Sequence, residues 1–241
     1  YFTLFSQTFI NIFVPGDEQI MGIIDASYEA FISLDLEILL KIDSLDQVFR
    51  IFIKYGKLEN LDSIILNICE ARRSLVNILI YEISFILMNQ AQVFNEEVVL
   101  HLSLLLRNLI RQEPRLFIKS IICIYARVAL FNNERFEAIL AGENIEEFIL
   151  HLIDTLSIDL FKYYCELEQR MIIAFFGLYS SNQEIAKTTE NLLVAMIQTL
   201  DELFSEPNNE IGAFKKTSSL GLIKESIFYD DNEFLSHPFI S

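Results

Sequence analysis

The sequence contains few of the residues that interrupt regular structure. Its 241 residues include only seven glycines and four prolines, residues on which the turns of loop-rich and β-rich proteins depend. Tryptophan is absent, although there are 21 phenylalanines and nine tyrosines. No stretch alternates apolar and polar residues for long enough to indicate a strand. These absences exclude a β-rich fold and predict a chain that is helical throughout.

Cysteine and histidine are also scarce, at three residues each. Cys69, Cys123 and Cys165 lie far apart in apolar helical patterns, which predicts buried thiols in a reducing compartment and no disulfide. Cys165, Glu166 and Glu168 do not share one helix face, so a structural role is favoured over a metal site. Gly-rich phosphate loops and nucleophile elbows are missing. We therefore expect no catalytic residues, no metal, no cofactor and no enzymatic activity.

Acidic residues outnumber basic ones by 34 to 18, which gives a formal charge of −16. Such a surface repels nucleic acid and anionic lipid and attracts basic partners over a Debye length of about 10 Å. The charge is equally consistent with a role in keeping an apolar chain soluble. Adjacent carboxylates at 96–97, 146–147 and 230–231 fall at helix starts or in loops, where solvated structural acids are common. The balance predicts basic protein partners, with no direct binding of nucleic acid or membranes.

The longest apolar runs are Ser74 to Met88 and Arg115 to Phe131. Both are shorter than the roughly 20 residues that a bilayer requires, so we predict buried helices instead. The positive charges of a secretory signal are missing at Tyr1. Because the chain does not begin with Met, we expect it to be part of a longer protein.

The clearest pattern in the chain is Leu160 to Phe204, where two helix-length apolar stretches flank Ser180–Gln183. Neither stretch can bury its apolar side alone, so the two must pack together and against further helices. The other predicted helices are 2–13, 17–31, a short one capped by Ser33 with Glu37 nearby, one that begins at Asp43 or Ser44 and reaches Tyr55, 58–70, 74–89, 95–113, 115–131 and 145–156. Residues 136–140 are predicted to form a short turn that stops at Gly142.

We therefore predict an all-α fold, an α-solenoid of antiparallel HEAT-like helix pairs with about five or six repeats of roughly 40 residues. Residues 1–206 are expected to form the repeats, 207–219 a flexible connector, and 220–241 a carboxy-terminal extension docked on the solenoid. Gly177 is predicted to lie at a close contact between helices.

One basic series is a candidate binding site. Arg107, Arg111, Arg115 and Lys119 recur every four residues, with Pro114 interrupting the helix between them. If the turn places them on one edge, they form a positive strip that could bind phosphate or acidic groups. The alternative is pairing with Glu113, with Glu134 or with a neighbouring repeat.

Aromatic pairs are expected to pack between helices. The pairs are Phe175–Phe176 with Tyr179, and Tyr163 with Tyr164. A second interpretation is that some of these rings line grooves for short hydrophobic peptides.

From about Asn95 to Ser241, the order of residues resembles the last repeats of the importin-β (karyopherin-β) superfamily, in the branch of importins seven and eight. The resemblance rests on Ala129–Asn133, Phe136, Leu140, Phe148, Leu152, Phe161, Gln169–Met171, Gly177–Leu178, Leu192–Leu193, Met196–Ile197, Leu200, Leu203–Phe204 and Glu206. The terminal Tyr229, Asp230, Asp231 and Phe234 resemble the short acidic and aromatic extension that closes that branch. The acidic segment after the last helix is reduced here to Glu202, Glu206 and Glu210.

The resemblance implies a nuclear transport receptor found in the nucleus, the cytoplasm and the nuclear pore complex. It implies binding to protein cargo, to Phe-Gly nucleoporins and, in the full-length receptor, to Ran–GTP, with cargo release on Ran binding. Arg107, Arg111, Arg115, Tyr229, Asp230, Asp231 and Phe234 are the predicted partner-binding residues. A HEAT-repeat scaffold of another protein or ribonucleoprotein assembly is the alternative function.

Overall fold

The computed structural model describes residues 18–89 and 93–205. Every regular element in these ranges is helical, which confirms the all-α prediction. The chain divides into two compact units, residues 1–141 and 142–241. The predicted helix 2–13, the connector and the carboxy-terminal extension lie outside the described residues, so those predictions stand untested.

The first unit contains eight α-helices and one 3₁₀ helix within its described part. They are α1 (Glu18–Ile32), α2 (Leu36–Leu39), α3 (Leu45–Lys54), α4 (Leu61–Ala71), the 3₁₀ helix (Arg73–Asn77), α5 (Ile80–Met88), α6 (Glu96–Gln112), α7 (Pro114–Phe131) and α8 (Asn133–Ile139). The second unit contains α9 (Ile145–Thr155), α10 (Ile158–Phe161), α11 (Glu166–Gly177) and α12 (Gln183–Ser205).

Helices of the first unit pack mainly on helices two places away. The α4 helix packs against α2 and α6, and α6 packs against α8. In the same way α5 lies between α3 and α7. Adjacent helices also touch, as α6 and α7 do. In the second unit, α12 packs against α9, α10 and α11.

The first unit is held together by two apolar helices, α5 and α7. Both have buried residues around most of their circumference, as expected for helices that are apolar on all sides and enclosed by neighbours. Aromatic contacts extend the core, with Phe31 centred 5.4 Å from Phe49 and 5.2 Å from Phe52. The run Arg115–Phe131 is confirmed as a largely buried helix, and the run Ser74–Met88 is confirmed as one only from Ile80.

Several helix ends follow sequence signals. Asn95 caps α6 by accepting a hydrogen bond from the backbone N–H of Glu97, and Pro114 occupies the first turn of α7, where its missing N–H costs nothing. Gly56 follows α3 with a φ of 71°, the left-handed conformation that glycine adopts readily after a helix.

The predicted helix 74–89 is wrong in its first half. Residues 73–77 form the 3₁₀ helix, and α5 begins only at Ile80. Ser, Val and Asn are weak helix formers, and the Asn77 side chain is engaged elsewhere, donating to the carbonyl of Leu116 and accepting from Ser120. These tertiary hydrogen bonds accompany the change in helix type.

A second break divides the predicted helix at 160. The α10 helix ends at Phe161, and α11 starts after Cys165, whose sulfur accepts a hydrogen bond from the N–H of Glu168 at 3.5 Å. The Glu168 carboxylate in turn accepts from the N–H of Cys165 at 2.9 Å, a capping box that gives α11 its own start. The buried Gln169 donates to the Phe161 carbonyl.

Ser33 is not the cap of the short helix. Asp35 occupies that position, and the Ser33 hydroxyl donates to the carbonyl of Glu29, one turn earlier in α1. A serine that bonds back to its own helix is not available for the next one.

Candidate functional site: a basic and apolar surface at the turn between α6 and α7

Arg107 lies inside the first unit, with only 6% of its surface exposed. Its Nη1 donates to the carbonyl oxygen of Leu140, just after α8, at 3.0 Å. One turn earlier, the Ser103 hydroxyl donates to the carbonyl of Ile139 at 2.9 Å. The last carbonyls of a helix lack partners within that helix, so α6 supplies donors to the end of α8. Arg107 is therefore paired with a neighbouring helix and does not belong to an exposed positive strip.

Arg111, Arg115 and Lys119 are exposed. Arg111 lies in the last turn of α6, whereas Arg115 and Lys119 are four residues apart and share one face of α7. The predicted strip is therefore shortened to these three side chains, because Arg107 points into the core.

The 3₁₀ helix adds a further cation to the same turn. Arg73 Nη1 donates to the carboxylate of Glu113 at 3.1 Å and to the side-chain oxygen of Gln112 at 3.4 Å. Both acceptors lie where α6 gives way to α7. Glu113, one of the predicted partners of the basic series, is thus paired with Arg73, which the sequence did not indicate.

Asn77 holds the 3₁₀ helix against the beginning of α7. Its Nδ2 donates to the carbonyl of Leu116 at 3.3 Å, and its Oδ1 accepts from the hydroxyl of Ser120 at 2.7 Å. Residues from two separate parts of the chain therefore form one continuous surface.

Two large apolar side chains lie on this surface. Leu116 is 63% exposed and Ile78, which follows Asn77, is 50% exposed. We call the group formed by Arg73, Ile78, Arg111, Arg115, Leu116 and Lys119 the basic–apolar surface.

The basic–apolar surface is locally positive on an acidic chain. Residues 71–81, 98–112 and 114–133 contain seven of the 18 Lys and Arg residues and none of the 34 Asp and Glu residues. The carboxylate of Glu113 lies between two of these stretches and is bonded to Arg73. An anion that approaches this turn meets mainly cations, whereas most of the chain would repel it.

Glu82, which the sequence marked only as an interruption in an apolar run, is a buried acid of the first unit. It is fully buried on α5 and accepts from Arg50 Nε on α3 at 3.0 Å. Burial raises its pKa to about 7, although the charge of Arg50 opposes the shift. The same burial, with the charge of Glu82 nearby, raises the pKa of the Cys69 thiol to about 12. Glu82 is enclosed by the core, so we assign it a structural role.

Most of the aromatic residues predicted to pack between helices are buried, although their ring contacts join residues at most four positions apart. Phe175 and Phe176 are fully buried, with ring centres 5.3 Å apart, and Tyr179 meets Phe175 edge-on at 6.0 Å. Tyr164 packs on Phe161. Tyr163 is wrong as a packing residue, since it is 85% exposed.

Gly177 does not lie at a close helix contact. A Cβ added there would meet no atom within 4 Å, and the residue is exposed at the end of α11. The remaining predicted site residues, Tyr229, Asp230, Asp231 and Phe234, lie outside the described residues and stay predictions.

Within residues 18–89 and 93–205, no three His, Cys, Asp or Glu side chains are grouped so that they could hold a metal ion. Each helix in these ranges is too short or too polar to span a lipid bilayer.

Comparison with known proteins finds no matching family model, no similar curated protein and no similar solved structure.

Proposed function

We propose that this chain is a segment of an α-solenoid that binds other proteins on its surface. The observation that carries the proposal is the packing of α4 against α2 and α6, of α6 against α8, and of α5 against α3 and α7. Contacts between elements two places apart are expected when antiparallel helix pairs stack side by side. Stacked pairs of this kind offer long ridges and grooves for partners.

The more specific form of the proposal is a nuclear transport receptor of the importin-β superfamily. It depends on the resemblance over roughly residues 95–241, whose first matching residues are Ala129–Asn133. Phe136, Leu140, Phe148, Leu152 and Phe161 from that resemblance are all buried, which supports their use as repeat core residues. Such a receptor would carry cargo between cytoplasm and nucleus through the pore, binding Phe-Gly nucleoporins and, in its full-length form, Ran–GTP.

A HEAT-repeat scaffold in another assembly is the second candidate. The basic–apolar surface favours it, because a receptor for basic cargo has no need of a cationic turn on its surface. A scaffold with varied partners can use surfaces of either sign.

The two candidates differ in their partners. The full chain is immobilised and exposed to a polypeptide of Phe-Gly repeats, with a matched polypeptide in which every Phe is replaced by Ser. Retention of the first polypeptide and loss of the second supports the transport receptor. Failure to retain either one removes that form of the proposal and leaves the scaffold. A basic protein such as a histone tests cargo binding in the same way.

A further inference from the structure

We propose that the basic–apolar surface binds an acidic segment of a partner protein that carries aliphatic or aromatic side chains among its carboxylates. This inference does not rest on the transport-receptor proposal, and it names a partner chemistry opposite in charge to the basic cargo expected there.

Charge complementarity is the first argument. Arg73, Arg111, Arg115 and Lys119 are exposed around one turn, and the surrounding stretches of sequence contain no acid other than Glu113. A carboxylate brought to this turn gains attraction from several cations at once. On a chain with a formal charge of −16, such a concentration of cations also selects the place where an acidic segment can approach.

The apolar side chains give the second argument. Leu116 and Ile78 are exposed by 63% and 50%; Leu116 follows Arg115 on α7, and Ile78 follows Asn77, which contacts the start of α7. Burial of apolar area stabilises a complex by roughly 25 cal/mol per Å², so a partner with aliphatic or aromatic side chains gains from covering both. Inorganic phosphate or a purely acidic segment would leave them in water.

The surface is also held in place before any partner arrives. Asn77 bridges the Leu116 carbonyl and the Ser120 hydroxyl, and Arg73 is bonded to Glu113 and Gln112. A surface that is already ordered loses less conformational entropy on binding. A protein segment is favoured over nucleic acid because the net charge of the chain repels a long polyanion, whereas a short segment is affected mainly by nearby charges.

The test uses the full chain and three fluorescent synthetic peptides. The first alternates Asp and Glu with Leu and Phe. In the second, each Leu and Phe is replaced by Ser; in the third, each Asp and Glu is replaced by Asn and Gln. Binding is followed by fluorescence anisotropy at low and at physiological salt. We expect the first peptide to bind more tightly than either control and its affinity to fall as salt is added.

Variants locate the binding on the protein. The double variant Arg115→Glu with Lys119→Glu and the single variant Leu116→Ser should each weaken the first peptide, the double variant by about tenfold or more. Lys162→Glu changes an exposed cation of the second unit and should leave the affinity unchanged at physiological salt. All substituted side chains are exposed, and circular dichroism checks the fold of each variant. If charge reversal disturbs folding, Arg115→Gln with Lys119→Gln takes its place.

Three outcomes would overturn the proposal. One is equal affinity of the unchanged chain and the double variant for the first peptide. Another is equal affinity of the unchanged chain for the first peptide and for the Ser-substituted peptide, which would show that apolar side chains do not contribute to binding. The third is tighter binding of a single-stranded oligonucleotide than of the first peptide, which would assign the cations to nucleic acid.

Discussion

Arg50 on α3 donates from Nε to Oε1 of Glu82 on α5 across 3.0 Å, at a position where Glu82 is fully buried. The other carboxylate oxygen has no hydrogen-bond partner among the described residues. Arg50 also lies over the ring of Tyr81 at 5.2 Å. A carboxylate bonded through only one oxygen retains much of the cost of burial.

Glu82 should make the chain less stable as pH rises through the mildly acidic range. Its pKa is about 7 in the folded chain against an ordinary 4.5. Between these two pH values Glu82 is largely protonated in the folded state and largely ionised in the unfolded state. The unfolded state is thus favoured progressively from about pH 4.5 to about pH 7. Glu82→Gln cannot ionise. The difference between its free energy of unfolding and that of the natural chain should therefore shift in favour of the variant as pH rises across that range. Urea unfolding at several pH values measures this, with the exposed Glu37→Gln as control; parallel curves for Glu82→Gln and the natural chain would contradict it.

Arg107→Met should destabilise the first unit by about 1.5–3 kcal/mol, because the carbonyl of Leu140 would lose its charged donor. Arg111→Met, one turn further along α6, alters an exposed side chain and should change the free energy by less than about 0.5 kcal/mol. Chemical denaturation of both variants measures the difference. Equal effects would mean that the burial of Arg107 contributes nothing to folding.

Two glycines in the second unit should respond in opposite directions to alanine. Gly177→Ala meets no neighbour within 4 Å at the end of α11 and should leave stability unchanged or raise it by up to about 1 kcal/mol, since alanine is the better helix former. Gly142→Ala meets no neighbour either, but its φ of +84° should cost roughly 1–2 kcal/mol. Thermal unfolding of both variants shows whether backbone conformation alone lowers stability, because neither added methyl group meets a neighbouring atom. A marked loss of stability in Gly177→Ala would instead indicate the close helix contact that was predicted from the sequence.

Arg135 should not tolerate replacement by lysine. Its Nη atoms donate to both oxygens of Glu96 at 2.7 and 2.9 Å, and its Nε donates to the carbonyl of Leu87 at 3.0 Å. Lysine keeps the charge but cannot reproduce this fork, so Arg135→Lys should lower the free energy of unfolding by about 1–3 kcal/mol. Lys41→Ala, at an exposed position, is the control in the same denaturation series. A stability equal to that of the natural chain would show that charge alone suffices.

Local signals were sufficient to predict most helices of the described chain. Asn95 before two glutamates and Pro114 at a helix start act within one turn of the backbone, and their effect can be read from a few neighbouring letters. The break at 165 was missed because cysteine is not among the usual helix-capping residues, although its capping box with Glu168 is local. The break at 77 was missed because it depends on bonds that appear only after folding. Asn77 is bonded to residues about 40 positions away, and no local pattern contains that information.

The candidate site was predicted only in part for the same reason. A spacing of four residues correctly suggested that Arg115 and Lys119 share a face, but it could not show that Arg107 turns inward to Leu140. Arg73 and Ile78 reach the site because the 3₁₀ helix packs on α7. The absence of acids from 71–81 and 114–133 was the one signal in the sequence that could have joined these two stretches.

The different surroundings of the three cysteines make the natural chain suitable for site-directed labelling. Cys69 and Cys123 are buried, and burial holds the Cys69 thiol in its unreactive protonated form. Cys165 is partly exposed at the start of α11. A maleimide dye added under native conditions should therefore attach at Cys165, giving a spectroscopic reporter in the second unit without any engineered residue.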